Sequence, residues 1–573
     1  MEKQYLTIDG IPVEINGEKN LLELIRKVGI ALPTFCYHSD LSVYGACRMC
    51  MVENEWGGLE AACSTPPRAG MNIKTNTQKL RKYRRSILEL LLANHCRDCT
   101  TCDKNGDCKL QKLASDFKID GVRFPNGNTE KKPDSSSPCI IKDPSKCILC
   151  GDCVRMCNEI QNVGAIDFAH RGSKMVISTA FDVPMKHSPC VGCGQCVAVC
   201  PTGALVLHRD SDKIYEALDS KDVFTTVQIA PAVRVAIGKE LGVKNGENVM
   251  GKIVAALRRM GFDEVYDTAL SADLTVMEET AEFIDRAENG GKLPLITSCC
   301  PAWIQYAEKK HPELLDNIST CRSPMQMMAS LLKEMHKDKK HFHVAIMPCT
   351  AKKFEAKREE FEVNGVPNVD AVLTTKGLVR MIKESGIVFE ELESEAVDMP
   401  FSTVSGAGII FGVTGGVTEA VLRRVSESKS RTKLLEIATL GQRGEEGIKE
   451  FDIPYGESTL HIAVVSGLAN AEKIIKRMQA GEKFDLIEVM ACPGGCVNGG
   501  GQPISCNTPE KRALRAEGLY NEDLKDTQFR RSHENEDIKK LYAEYLGEPN
   551  SHKAHELLHT TYADMFKGSY KDM

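Results

Sequence analysis

The chain opens with strict alternation. Leu6 and Ile8 share one face of an extended segment, and Ile11, Val13 and Ile15 share one face of the next. Gly10 lies between them, so the pattern predicts a hairpin. Leu21, Leu24, Ile25 and Val28 then recur at helical spacing until Gly29. Residues 79 to 92 read as a second helix with a basic outer face of Arg81, Lys82, Arg84 and Arg85. Residues 125 to 138, rich in Pro, Ser, Asn and Gly, read as a linker. From about residue 210 the pattern changes. KLPLITS, HVAIM, HIAVVSG and FDLIEVM are apolar runs of strand length, and helical stretches such as 248 to 260 and 474 to 480 alternate with them. That alternation predicts parallel sheets covered by helices. The segment DLTVMEETAEFIDRAENGG reads as a helix ending at Gly290, and residues 532 to 570 look helical and charged.

At 573 residues the chain requires two or more domains. Its net charge of -6 does not suggest nucleic-acid binding. It contains no apolar run long enough to span a membrane, and its first residues carry no signal-peptide pattern. The cysteines change the picture, because there are 24 and most are clustered. In a long chain with no export signal, such clusters point to thiolate metal ligands rather than disulfides, and to a cytoplasmic location.

Cys36, Cys47, Cys50 and Cys63 contain one C-x2-C pair and a long first gap. This is similar to the 2Fe-2S domain of plant-type ferredoxins, whereas a zinc ribbon would want two short pairs. His95, Cys99, Cys102 and Cys108 follow H-x3-C-x2-C-x5-C, which on spacing alone also allows zinc. Cys147, Cys150, Cys153 and Cys157, and then Cys190, Cys193, Cys196 and Cys200, repeat the C-x2-C-x2-C-x3-C run of two-cluster bacterial ferredoxins. In that fold the fourth cysteines cross over. One cluster then takes Cys147, Cys150, Cys153 and Cys200, and the other takes Cys190, Cys193, Cys196 and Cys157. Cys96, Cys139, Cys321 and Cys506 belong to no motif.

In the second half, three predicted strands run into cysteines: TSCCP (Cys299, Cys300), MPC (Cys349) and MACPGGC (Cys492, Cys496). Ligands gather beyond the carboxyl ends of parallel strands, so these ends predict a shared thiolate site. The neighbouring glycines, Gly494, Gly495, Gly499, Gly500 and Gly501, are expected to let backbone approach something bulky. Glu279, Glu282 and Arg286 share a helix face, which on spacing alone reads as solvated.

TSCCPAW, MPCTAKKFEA and EVMACPGGCVNGGGQP resemble the three signature segments of FeFe hydrogenases. The order of the N-terminal motifs matches the multi-cluster form of that family, and the His/Cys3 motif matches its 4Fe-4S site. The resemblance covers essentially the whole chain. It implies a β-grasp 2Fe-2S ferredoxin domain (1–78), a His/Cys3 4Fe-4S domain (79–124), a two-cluster 4Fe-4S ferredoxin-like domain (139–209) and a two-lobed α/β catalytic domain (210–573). It implies interconversion of protons, electrons and H2, with electrons relayed through one 2Fe-2S and three accessory 4Fe-4S clusters. It places a 4Fe-4S cubane on Cys300, Cys349, Cys492 and Cys496, joined to a diiron unit carrying CO, cyanide and azadithiolate, together the H-cluster. A proton path would run through Cys299, Glu279, Ser319, Glu282 and Arg286. Lys352 would donate to a cyanide, and Pro231, Met347, Met490 and Phe411 would pack around the diiron unit. Met325 stands where many members have Gln, Ala232 where many have Ser, and Pro493 where many have His. The implied partners are a ferredoxin or other redox subunits, with dedicated maturation proteins for the diiron unit. No convincing flavin or nicotinamide fingerprint is present, so a role within an electron-bifurcating or CO2-reducing complex would place nucleotide chemistry on another subunit.

Overall fold

The computed structural model describes residues 3–127, 132–363, 365–425, 447–455, 458–503, 508–525 and 528–563, which leaves Cys506 outside the described residues. The chain packs as two units. One comprises Met1–Glu159, Gly164–Ser188 and Val199–Val206, and the other Ile160–Val163, Pro189–Ala198 and Leu207–Met573.

In the N-terminal unit, β1 (Tyr5–Ile8) and β2 (Ile11–Glu14) form the expected hairpin, Leu6 opposite Val13. Asp9 and Gly10 both take positive φ, 50° and 87°, as a tight Asp-Gly hairpin turn demands. Ile11 departs from the pattern and is 61% exposed beside that turn. Asn20 caps α1 (Leu21–Lys27) by accepting from the Glu23 amide, 3.1 Å. With β3 (Met51–Asn54), β4 (Leu59–Ala61) and β5 (Asn72–Lys74) the sheet runs β2-β1-β5-β3-β4. Leu6, Ile8, Leu24, Ile25, Ile73 and Leu80 fill the core beneath it.

Thr77 caps α2 (Gln78–Ala93), and here one expectation fails. Arg84 does not belong to the outer basic face. It is buried and donates to the carbonyls of Met49, Met51 and Thr75 at 2.7–3.2 Å. Those carbonyls supply the partners a buried guanidinium needs.

The second unit contains β6 (Phe224–Ile229), β7 (Glu264–Asp267), α3 (Thr268–Asn289), β8 (Leu295–Ile296), α4 (Pro301–Lys310), α5 (Pro324–Met335), β9 (His341–Met347) and β10 (Ala371–Thr374). It continues with β11 (Ile448–Tyr455), β12 (Ser458–Ser466), β13 (Leu486–Met490), α6 (Pro509–Lys525) and α7 (His552–Leu558). One sheet runs β7-β6-β9-β10, all parallel. Val227, Ile229, Val344, Ala345 and Ile346 are fully buried there without alternation, as in a sheet covered on both faces. The other runs β8-β13-β12-β11. Its edge strand β11 pairs antiparallel, and the other strands pair parallel as the alternation predicts.

Helix α3 ends at Gly290, at φ 79°, as its sequence predicts. The C-terminal segment packs on this same unit. Ile538, Tyr542, Leu546, Ala554 and Leu558 share a core with Leu270, Leu274, Cys321, Met327 and Met328.

Candidate active site and cluster ligands

Both sheets of the second unit aim strand ends at one place. After β8 the chain passes Thr297 and Ser298 to reach Cys299 and Cys300, and Pro301 starts α4 at the position where a missing N–H costs nothing. After β9 come Pro348 and Cys349, and after β13 come Ala491 and Cys492. Cys496 follows one turn later. Cys299, Cys300, Cys349, Cys492 and Cys496 all line one cavity of about 90 Å³. Pro231, Ala232, Met325, Met347, Lys352, Phe411 and Met490 line it too, so every pocket residue expected from the sequence is brought together there. Thr268, Ala272 and Gly412 also line it. They were missed because small residues in a helix or turn carry no chemical signature.

The wall is almost wholly apolar. Lys352 is its one cationic side chain among the described lining residues, with Nζ 2.7 Å from Glu355 and 3.4 Å from the Cys299 carbonyl. Burial pushes the thiols of Cys300, Cys349, Cys492 and Cys496 up, Cys349 to about 12, and Cys300 raises both Cys349 and Cys496 further. Four thiolates can share such a wall only around compensating positive charge. The donor set therefore fits an iron–sulfur cluster.

Gly495 and Gly499 line the cavity as expected, and the unit's own backbone also crowds this segment. A Cβ on Gly495 (φ 88°) would meet the Thr414 amide nitrogen at 2.5 Å, and one on Gly500 the Cys193 carbonyl at 2.4 Å. What approaches these two is the unit's own backbone.

From Cys299 a line of polar groups leads away from the cavity. Glu279 is fully buried, with Ser319 and the Ser298 backbone as its polar neighbours. Burial first, and then the charge of Glu282, push its carboxyl up to about 8. Ser319 donates to Glu282 Oε2 at 2.8 Å, and Arg286 Nη2 donates to Glu282 Oε1 at 2.5 Å. Arg286 also donates to the carbonyls of Asp316, Asn317 and Ile318. The face read from spacing as solvated is thus buried at Glu279 and Glu282.

Residues 223–500 match the family model described as the iron only hydrogenase large subunit, C-terminal domain, and residues 509–565 match the iron hydrogenase small subunit. The chain is 43% identical over 98% of its length, and 99% of the relative's, to the NADP-reducing hydrogenase subunit HndD of Solidesulfovibrio fructosivorans. It is 37% identical to iron hydrogenase 1 of Clostridium pasteurianum over 97% and 99% of the two chains. The chain belongs to the FeFe hydrogenase family. A solved FeFe hydrogenase, HydA1 from Chlamydomonas reinhardtii, superposes with a TM-score of 0.53 at 39% identity, covering 62% of this chain and 98% of that one.

The rest of this hydrogenase matches iron–sulfur modules: a 2Fe-2S cluster binding domain at 4–78, the iron–sulfur binding region of NADH-ubiquinone oxidoreductase-G at 84–123, and a 4Fe-4S dicluster domain at 146–204. Their candidate ligands converge locally. Cys47 is hydrogen-bonded with Cys36, and Cys50 with Cys63, so the first of each pair is held below the usual thiol range. The amides of Phe35 and Cys47 donate to Cys47 and Cys36 sulfurs at 3.4 and 3.3 Å.

At His95 the Arg97 amide donates to Nδ1 at 3.1 Å, while Nε2 is buried without a hydrogen-bond partner among the described residues. Burial lowers its pKa, which favours the neutral, ligating ring. A Cβ on Gly203 would sit 2.6 Å from Cys102 Sγ, so glycine is needed there. No motif flagged it. Cys147, Cys150, Cys153 and Cys200 line one cavity of about 30 Å³. The other expected set falls across the two units, Cys157 in the first and Cys190, Cys193 and Cys196 in the second. Cys96 Sγ lies 3.9 Å from His95 Nδ1, and Cys139 is buried.

Proposed function

We propose that this FeFe hydrogenase interconverts H2 with two protons and two electrons in the cavity between its two sheets. Cys300, Cys349, Cys492 and Cys496 would hold the cubane, with Cys496 also joined to the diiron unit. The convergence of those four thiolates with Cys299 on one apolar wall carries the reading. The H-cluster, when bound, supplies the site at which the H–H bond is made or broken.

The protein's own residues do the rest. Cys299 exchanges a proton between cavity and interior. Glu279, protonated near neutral pH because it is buried, passes it toward Ser319 and Glu282, and Arg286 holds the outer end. Lys352 presents a cation to an anionic ligand of the cofactor, and Met347, Met490, Phe411, Pro231, Ala232 and Met325 exclude water. The domain boundaries 1–78, 79–124, 139–209 and 210–573, the count of one 2Fe-2S and three accessory 4Fe-4S clusters, and a cytoplasmic location belong to the same proposal. No described helix is long and apolar enough to cross a membrane.

A second reading concerns the electron partner. The end-to-end similarity to a subunit of an NADP-reducing hydrogenase favours a place in a multi-subunit, nucleotide-linked complex over exchange with free ferredoxin alone.

The test is anaerobic hydrogen evolution from reduced methyl viologen by protein supplied with the diiron cofactor and checked for iron. Rapid evolution is expected. Fully loaded protein that evolves none would overturn the assignment of the cavity.

A further inference from the structure

Outside the catalytic cavity, a carboxylate, a thiol and an imidazole meet. Glu282 comes from α3, Cys321 from the segment before α5, and His559 follows α7. One donor atom of each lies within 4.8 Å of the other two. Cys321 Sγ is 3.8 Å from Glu282 Oε2. All three are buried, at 8%, 0% and 6% exposure. The backbone fixes the meeting: Cys321 and His559 face each other as an isolated bridge. The amides of Arg322 and Thr560 flank it, donating to the Leu558 and Thr320 carbonyls at 2.7 Å each.

One sulfur, one nitrogen and one oxygen donor suit a borderline-soft divalent ion and not Ca2+ or Mg2+. The surroundings are also those of a metal-bound histidine. His559 Nε2 lies 3.1 Å from Glu278 Oε2. Glu278 is itself held by the Tyr542 hydroxyl and the Asn550 amide. A carboxylate on one ring nitrogen fixes the tautomer and orients the other nitrogen for ligation. That other nitrogen, Nδ1, is 2.8 Å from the Thr320 hydroxyl, a rotor that can turn aside. Thr320 also donates its amide to Glu282, at 3.1 and 3.2 Å, which keeps carboxylate and imidazole on one side.

We propose that Glu282, Cys321 and His559 form a Zn2+ site that leaves one coordination position for water. The ion enters as the Cys321 thiol releases its proton to solvent. Its effect on turnover rests on the proton path described above, because Zn2+ on Glu282 removes the carboxylate that serves Ser319 and Arg286.

Anaerobic, iron-replete holoenzyme is incubated with Zn2+, freed of excess by gel filtration and examined by metal analysis and zinc-edge X-ray absorption. One retained Zn2+ per chain is expected, with a single sulfur at about 2.3 Å and the remaining donors N or O. Cys321→Ala and His559→Gln are expected to lose it. Glu278→Gln, which keeps all three ligands, is expected to weaken retention roughly 10- to 100-fold. Iron content and melting behaviour check that each variant folds, and turnover is read within each variant as the ratio with and without Zn2+. Holoenzyme that retains no zinc, or a Cys321→Ala variant that retains it equally with the same sulfur shell, overturns the site. Zinc bound as described with undiminished turnover upholds the site and overturns the path through Glu282.

Discussion

Cys99, Cys102 and Cys108 lie within one short stretch of the N-terminal unit, close enough that, beyond burial, the charge of Cys102 raises the thiols of the other two. Cys300, Cys349, Cys492 and Cys496 are spread over about half the length of the second unit. They meet only because β8, β9 and β13, in two different sheets, end at one cavity. The first kind of site depends on local chain geometry. The second depends on the register of whole sheets and on cores such as Val344, Ala345 and Ile346 that set where strands stop. Local sites can therefore be lost singly, whereas the distributed one fails as a whole.

Substitutions can break that contrast. The largest effect is expected at the distributed site: Cys300→Ala should reduce hydrogen evolution to background whatever the electron donor. Cys102→Ala should spare evolution from a small viologen while impairing it with a protein donor. Equal losses with both donors in Cys102→Ala would show that the accessory region is not separable. Cys299→Ala should keep its iron yet lose turnover roughly 10²- to 10⁴-fold, the usual cost of removing a positioned proton-transfer group.

Glu279→Gln sharpens the comparison through pH. The native carboxyl is raised from 4.5 to about 8, so the folded chain holds a proton there that the unfolded chain releases. Stability from this group is full below about pH 4.5 and declines as pH rises toward 8. The Gln variant should flatten that decline in denaturant titrations while losing turnover. An unchanged slope would place the titration elsewhere. The smallest effect is expected from Arg84→Ala. It leaves the Met49, Met51 and Thr75 carbonyls without their donor and should cost the N-terminal unit about 2–3 kcal/mol. The melt of its visible cluster absorption reads that loss, with hydrogen evolution from viologen unaltered.

Some of this was legible in the chain and some was not. Helix α3 and its Gly290 stop, the Asp9–Gly10 hairpin and the three cysteine strand ends follow from periodicity and turn chemistry, which act over a few residues. Arg84 was misread because helical spacing shows which side chains share a face but not which carbonyls wait opposite. Gly495 and Gly499 at the cavity wall follow from the glycine-rich motif, whereas the distant backbone segments that press on Gly495 and Gly500 leave no mark in it. The role of Glu279 needed the family resemblance, since charge at helical spacing ordinarily marks a wet surface.

The sequence by itself determined the chemistry of this protein: thiolate groups at cluster spacings, a histidine among them, and cysteines placed just after strands. Ligand type and short spacing are local properties, so they survive without a fold. Only the tertiary structure decided that Glu279 is dry, that Arg84 is buried, and that His559 lies beside Cys321 and Glu282. Burial and long-range proximity arise when hydrophobic surfaces choose their partners, and that choice is made between segments far apart in the chain.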